Sequence, residues 1–206
     1  MTNDILLYQR AKAHLIRSAD TKRQVAEDCI GNIVQAAEML AACFRNGKKV
    51  LLCGNGGSAA DCQHIAAEFV STLTQDFNRP GLRAVALTTD SSFLTAYSND
   101  YGFEGVFERQ VEALGEAGDT VVGISTSGNS ANVIRAIEGA KRMDMMSIAL
   151  TGRGGRLNGL ADVVVSVPSI HTAHIQECHI AIGHIFCDLV ERLLFGKGEV
   201  GTNDHQ

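Results

Sequence analysis

No block of lysine or arginine occurs anywhere in this chain, whose 18 basic residues are outnumbered by 23 acidic ones, for a formal net charge of -5. Binding to a phosphate backbone normally needs clustered cations, so a nucleic-acid partner is not expected. Missing too is any apolar stretch long enough to span a membrane, and the N-terminus has no basic region leading into an apolar run and a small-residue cleavage site. These absences predict a cytoplasmic protein with no membrane partner. None of the six cysteines (Cys29, Cys43, Cys53, Cys62, Cys178 and Cys187) forms a CxxC pair. Most lie inside apolar patterns and read as reduced, buried thiols, not a disulfide framework. Repeats, low-complexity tracts and a Walker phosphate loop are also absent. Small molecules and further copies of the chain remain as partners.

What is present suits one sizeable core, since 45% of the 206 residues are hydrophobic and only 20% charged. The reading is a single domain over 1–196, with a helical extension over 1–47 and a loose polar tail over 197–206. Val25, Cys29, Ile33, Ala36, Leu40 and Phe44 recur at helical spacing, so two helices are expected before Asn46-Gly47. Short apolar runs follow at 49–53, 84–87, 120–124, 147–150 and 163–167, mostly separated by segments of helical period. Strands alternating with helices predict an α/β fold, a doubly wound five-stranded parallel sheet flanked by helices. A long helix over 171–195 closes the pattern. In such sheets ligands bind beyond the carboxyl ends of the strands, so the residues after each run are where chemistry is to be sought.

After the first run comes Gly54-Asn55-Gly56-Gly57-Ser58-Ala59, whose glycines let backbone N–H groups approach an anion at a helix start. It also matches the dinucleotide fingerprint, but the acidic ribose-binding residue expected about 20 positions on is missing. After the third run stand four hydroxyl residues and a glycine within Ser125-Thr126-Ser127-Gly128-Asn129-Ser130. Hydroxyls plus helix N-terminal amides make a phosphate cradle that needs no lysine; the plainer alternative is an ordinary helix cap. His64 and Glu68 lie one helical turn apart on one face, fit either to ligate a metal, to act as acid and base, or to form an ordinary exposed pair. Gln176, Glu177, His179 and His184 interrupt the apolar closing helix, where a lone histidine is more often a core residue than a ligand.

Taken in order, Cys53-Gly-Asn-Gly-Gly-Ser58, His64-x-x-x-Glu68, Ser98-Asn-Asp-Tyr-Gly-Phe103, Gly123-Ile-Ser-Thr-Ser-Gly-Asn-Ser-Ala-Asn132, Leu150-Thr-Gly152 and Ile175-Gln-Glu-x-His179 followed by His184 resemble the motifs of the sedoheptulose 7-phosphate isomerase family of sugar isomerase (SIS) proteins. The resemblance runs from about Phe44 to Phe195. It implies the SIS fold, with Asn55, Gly56, Gly57, Ser58, Asn99, Asp100, Ser125, Thr126, Ser127 and Ser130 holding a phosphorylated sugar. It further implies that His64, Glu68, Gln176 and His184 bind one zinc ion per subunit, that Glu68 and His184 transfer protons, and that Glu68 and Gln176 also touch substrate. A homotetramer is implied, as is the conversion of D-sedoheptulose 7-phosphate to D-glycero-D-manno-heptose 7-phosphate on the way to lipopolysaccharide or related glycans. The chain departs from forms of the family with arginine where His174 stands, which bears on substrate preference. The rival reading is a non-catalytic SIS protein of the kind that associates with the bacterial replication initiator. That relative lacks the carboxylate of Glu68 and has an arginine interrupting its hydroxyl loop. On a regular helix Gln176 and His184 stand about 12 Å and 80° apart, too far to meet on one ion. The long helix is therefore expected to line a subunit interface and to contribute to shared sites.

Overall fold

A computed structural model describes residues 2–74 and 78–196. The expected tail, 197–206, lies outside the described residues. In chain order the elements are α1 (Thr2–Asp28), α2 (Ile30–Arg45), β1 (Val50–Gly54), α3 (Gly57–Val70), β2 (Ala84–Ala86), α4 (Ser91–Tyr101), α5 (Val106–Leu114), β3 (Thr120–Ser125), α6 (Ala131–Arg142), β4 (Met146–Thr151), β5 (Val163–Ser166) and α7 (Thr172–Phe195), with short 3-10 turns at Phe103–Gly105 and Arg156–Gly159. The first two helices are nearly one. Cys29 leaves the helical geometry at φ -114, yet its N–H still reaches Val25 O at 2.9 Å and its carbonyl accepts from Ile33 N–H at 3.0 Å.

Every strand end falls within one residue of the expected apolar runs. The strands are short and nearly all apolar because parallel sheets are covered on both faces. All five are parallel in the order β2-β1-β3-β4-β5, with Leu52 in register with Ala86 on one side and Val122 on the other. Alternation along each strand splits the core in two. Leu52, Val122, Ile124, Ile148 and Leu150 face α2, α3 and α7, packing on Leu40, Ile65, Phe69, Ile182 and Phe186. Leu51, Cys53, Val121 and Ala149 face α5 and α6, against Phe107, Val111, Val133 and Ile137. Each such large side chain contributes about 1.5–3 kcal/mol on burial.

Strand order reverses between β1 and β3, whose following connections leave in opposite directions. A crevice therefore opens above their carboxyl ends, bounded by residues 55–57 and 126–130.

Candidate active site

The hydroxyl loop closes on itself. Ser125, delivered by the end of β3, has its Oγ 2.8 Å from Ser130 Oγ and 3.4 Å from Ser127 Oγ. Gly128 N–H returns to Ser125 O at 3.0 Å, and Asn129 N–H donates to Ser127 Oγ at 3.2 Å. Ser130 occupies the N-cap position of α6 but makes no capping bond. The ordinary-cap alternative therefore fails for it, and in the first turn of α6 it is Asn132 Oδ1 that accepts from Val133 N–H, at 3.0 Å. Thr126 and Ser127 also line a cavity of about 190 Å³ with Arg153, Ser169, Ile170, Thr172 and Ile175. Arg153 was not expected there. It lies in a loop with no periodicity to announce it, and it adds positive charge beside a cradle expected to need no lysine.

The glycine loop is fixed from two sides. Gly56 has φ 55 and ψ -121, a conformation side-chain-bearing residues avoid. A Cβ at Gly57 would lie 2.6 Å from Gln176 Nε2, so the amide of α7 packs directly on the first turn of α3. Asn55 and Asn132 exchange amide bonds, each 2.9 Å, which tie this loop to the start of α6. The Asn55 side chain is thus engaged structurally, and Asn132 is a residue the motif reading left without a role. Ser58 is buried behind the loop. Asn99 and Asp100 stand exposed near the end of α4, Asn99 Nδ2 donating to Asp100 Oδ1 at 2.8 Å. Among the described residues no hydrogen bond joins either to the two loops.

Parallel packing of α3 and α7 brings the remaining groups together. The close approach depends on Gly183, where a Cβ would meet Ile65 Cδ1 at 2.5 Å. One position on, His184 Nε2 lies 2.8 Å from His64 Nε2, and Glu68 Oε1 lies 3.5 Å from that same His64 atom. His184 is exposed, not the core residue its apolar neighbours allow for. Asp61, one turn before His64, has its pKa raised by burial, partly opposed by His64, and its Oδ2 finds no hydrogen-bond partner among the described residues. Beneath the site, burial pushes His179 down to about 4 while its Nε2 bonds Thr151 O at 3.1 Å. All six cysteines are free and buried, as expected; burial pushes Cys53 to about 12, far from reactivity.

Among the described residues no three His, Cys, Asp or Glu side chains are already spaced to hold an ion. The donor types suit zinc, and two pairs come near the required spacing: ligand atoms about 2 Å from a tetrahedral ion stand about 3.3 Å apart, against 2.8 Å for His64 and His184 and 3.5 Å for His64 and Glu68. Gln176 is not brought to this cluster within the chain, for it sits at the opposite end of α3. A second cluster lies apart. His14, Arg17, His171 and His174 line a hollow of about 450 Å³, with His14 Nε2 2.8 Å from Glu177 Oε1. Burial, then the neighbouring His14, lowers the pKa of His174.

A parallel sheet of this order, with a hydroxyl cradle at its switch point, defines a sugar-isomerase-type phosphosugar protein, and residues 15–152 match the SIS domain family model. Phosphoheptose isomerase 2 of Campylobacter jejuni is 52% identical over 190 residues, covering 91% of this chain and 94% of that protein. The phosphoheptose isomerase of Roseiflexus sp. is 56% identical over 179 residues, covering 86% and 90%. Among solved structures, the phosphoheptose isomerase of Neisseria gonorrhoeae superposes with a TM-score of 0.84 at 50% identity, covering 89% of this chain and 98% of that one. The chain belongs to the phosphoheptose isomerase family of SIS-domain proteins.

Proposed function

We propose that this chain is a sugar-phosphate isomerase converting D-sedoheptulose 7-phosphate to D-glycero-D-manno-heptose 7-phosphate, a step toward the heptose of lipopolysaccharide or a related glycan. The observation that carries the reading is the meeting of His64, His184 and Glu68 where α3 packs on α7, in a fold whose glycine loop opens α3 and whose hydroxyl loop ends β3. Aldose–ketose exchange moves one proton between adjacent carbons through an enediol while an oxyanion develops and decays. Glu68, partly shielded with 21% of its side chain exposed, suits the base that carries that proton. His184 suits proton exchange with the substrate oxygens, and Ser125, Thr126, Ser127 and Ser130 hold the phosphate that anchors the sugar. His64, Glu68 and His184 would hold a zinc ion, which when bound supplies Lewis-acid stabilisation of the oxyanion. The mixed imidazole and carboxylate set favours zinc over magnesium.

A symmetric oligomer, taken here as a homotetramer, accounts for two further features. Helix α1 carries Ile5, Leu7, Tyr8 and Leu15 at 59, 64, 71 and 70% exposure, apolar side chains that a subunit contact would cover. Gln176, remote from His184 in its own chain, then serves a site shared between copies. No helix of the described residues is long and apolar enough to cross a membrane, which accords with a cytoplasmic setting. The deciding experiment incubates purified protein with sedoheptulose 7-phosphate, with and without a chelator. Isomerisation that chelation abolishes and zinc restores is expected; no turnover of this sugar phosphate under any metal condition overturns the function, and full turnover in metal-free protein overturns the zinc.

A further inference from the structure

Arg79 lies in the segment between α3 and β2, and no motif marks it. Its side chain is completely buried, as is all but 4% of its partner Glu191 on α7. Burying a guanidinium is costly unless its donors are matched, and here the planar fork is used almost fully. Nε donates to Glu191 Oε1 at 2.8 Å, Nη1 to the carbonyls of Phe69 at 2.8 Å and Pro80 at 3.0 Å, and Nη2 to the carbonyl of Glu68 at 2.8 Å. The same Glu191 oxygen accepts from Leu73 N–H at 3.0 Å. The carbonyls of Glu68 and Phe69 belong to the last turn of α3, which leaves them without helical partners.

The placement goes beyond capping. Glu191 follows His184 by two turns of α7, so both lie on nearly the same face of that helix. Through Arg79 that face is bolted to the backbone of Glu68, while one level higher His184 meets His64. The two helices that carry the reacting groups are thereby held in one relative position at both levels. We infer that Arg79, oriented by Glu191, is a positioning residue for the isomerase reaction, fixing the Glu68 backbone so that its carboxylate points at the substrate. This rests on the reading of Glu68 as the base.

Lysine keeps the charge opposite Glu191 but lacks the planar fork that spans three partners. Arg79→Lys is therefore expected to fold, to lower kcat about tenfold or more, and to leave KM within about threefold, because a misplaced base affects the chemical step and not phosphate binding. In a Glu68→Gln background the same change should alter the residual rate less than about twofold. Arg79→Lys with wild-type kcat overturns the proposal even where Glu68→Gln is inactive. An equal fall in both backgrounds shows that Arg79 does not act through Glu68 and overturns it too. Wild-type turnover by Glu68→Gln instead removes the role of Glu68, a failure read from that variant alone. Should Arg79→Lys not fold, Glu191→Gln carries the test, since it keeps the fork bonded to the carbonyls and removes the charge that aims it. A fall in kcat of roughly three- to tenfold at unchanged KM is expected, and an unchanged kcat overturns the proposal.

Discussion

At the scale of single residues, Glu68 and Ser127 carry the most exposed parts of the argument. Glu68→Gln keeps shape and loses the basic lone pairs, so isomerisation should fall about a hundredfold or more, to a small residual rate, while the fold persists; turnover within about threefold of wild type removes Glu68 as the base. Ser127→Ala should weaken sugar-phosphate binding by about 1 kcal/mol or more, measured by calorimetry with an unreactive phosphorylated sugar. Unchanged affinity counts against the cradle. His179 makes a pH prediction. Burial holds its folded pKa at about 4, against an ordinary value of about 6.5 in the unfolded chain. A depressed imidazole contributes stability that is complete above the unfolded value and lost as pH falls toward the folded one. Roughly 3 kcal/mol should therefore disappear between pH 6.5 and 4. Urea denaturation across that window should show the loss, and His179→Gln should flatten the slope; equal slopes refute it. The lowered pKa of His174 acts with the same sign.

Among the elements, the seam between α3 and α7 decides the most. Glycine to alanine inside a helix ordinarily stabilises by up to about 1 kcal/mol. At Gly183 the sign should reverse, because the new methyl would stand 2.5 Å from the Cδ1 atom of buried Ile65. Gly183→Ala is expected to cost about 1–3 kcal/mol in chemical denaturation and to slow turnover by forcing His184 away from His64. A stabilised, fully active variant refutes the close-packed seam. The elements themselves were legible in the chain. Five apolar runs mark the strands to within a residue, and the spacing of His64 and Glu68 by itself places both on one face of α3. Arg79 and Arg153 were not legible, since each lies in an irregular segment without periodicity and meets residues distant in the chain, Arg79 on Glu191 and Arg153 on Pro168.

At the scale of the whole molecule, the proposed oligomer would divide the site between what one chain supplies and what a neighbour supplies. Glu68 and His184 each approach His64 Nε2 within one chain, so in the proposed oligomer the sharing expected of the closing helix falls to Gln176. Mixing Glu68→Gln with His184→Ala under subunit exchange should restore no activity, since every site then lacks one member of its own pair. Mixing Glu68→Gln with Gln176→Ala should restore some, because a shared site can draw an intact Gln176 from the partner. With exchange verified by mass spectrometry, recovery in the first mixture or none in the second overturns this division.

The amino-acid sequence by itself determined the strands, the glycine and hydroxyl loops at their ends and the helical spacing of the polar groups, because those depend on residues a few positions apart. Only the tertiary structure decided that β1 and β3 adjoin, that His184 faces His64 across 120 positions of chain, and that Gln176 instead covers Gly57. The strand pairing joins segments 70 residues apart in the chain, and the two helix contacts depend on how deeply Ile65 seats against Gly183; packing of that kind follows from the shapes of distant surfaces, which no local pattern encodes.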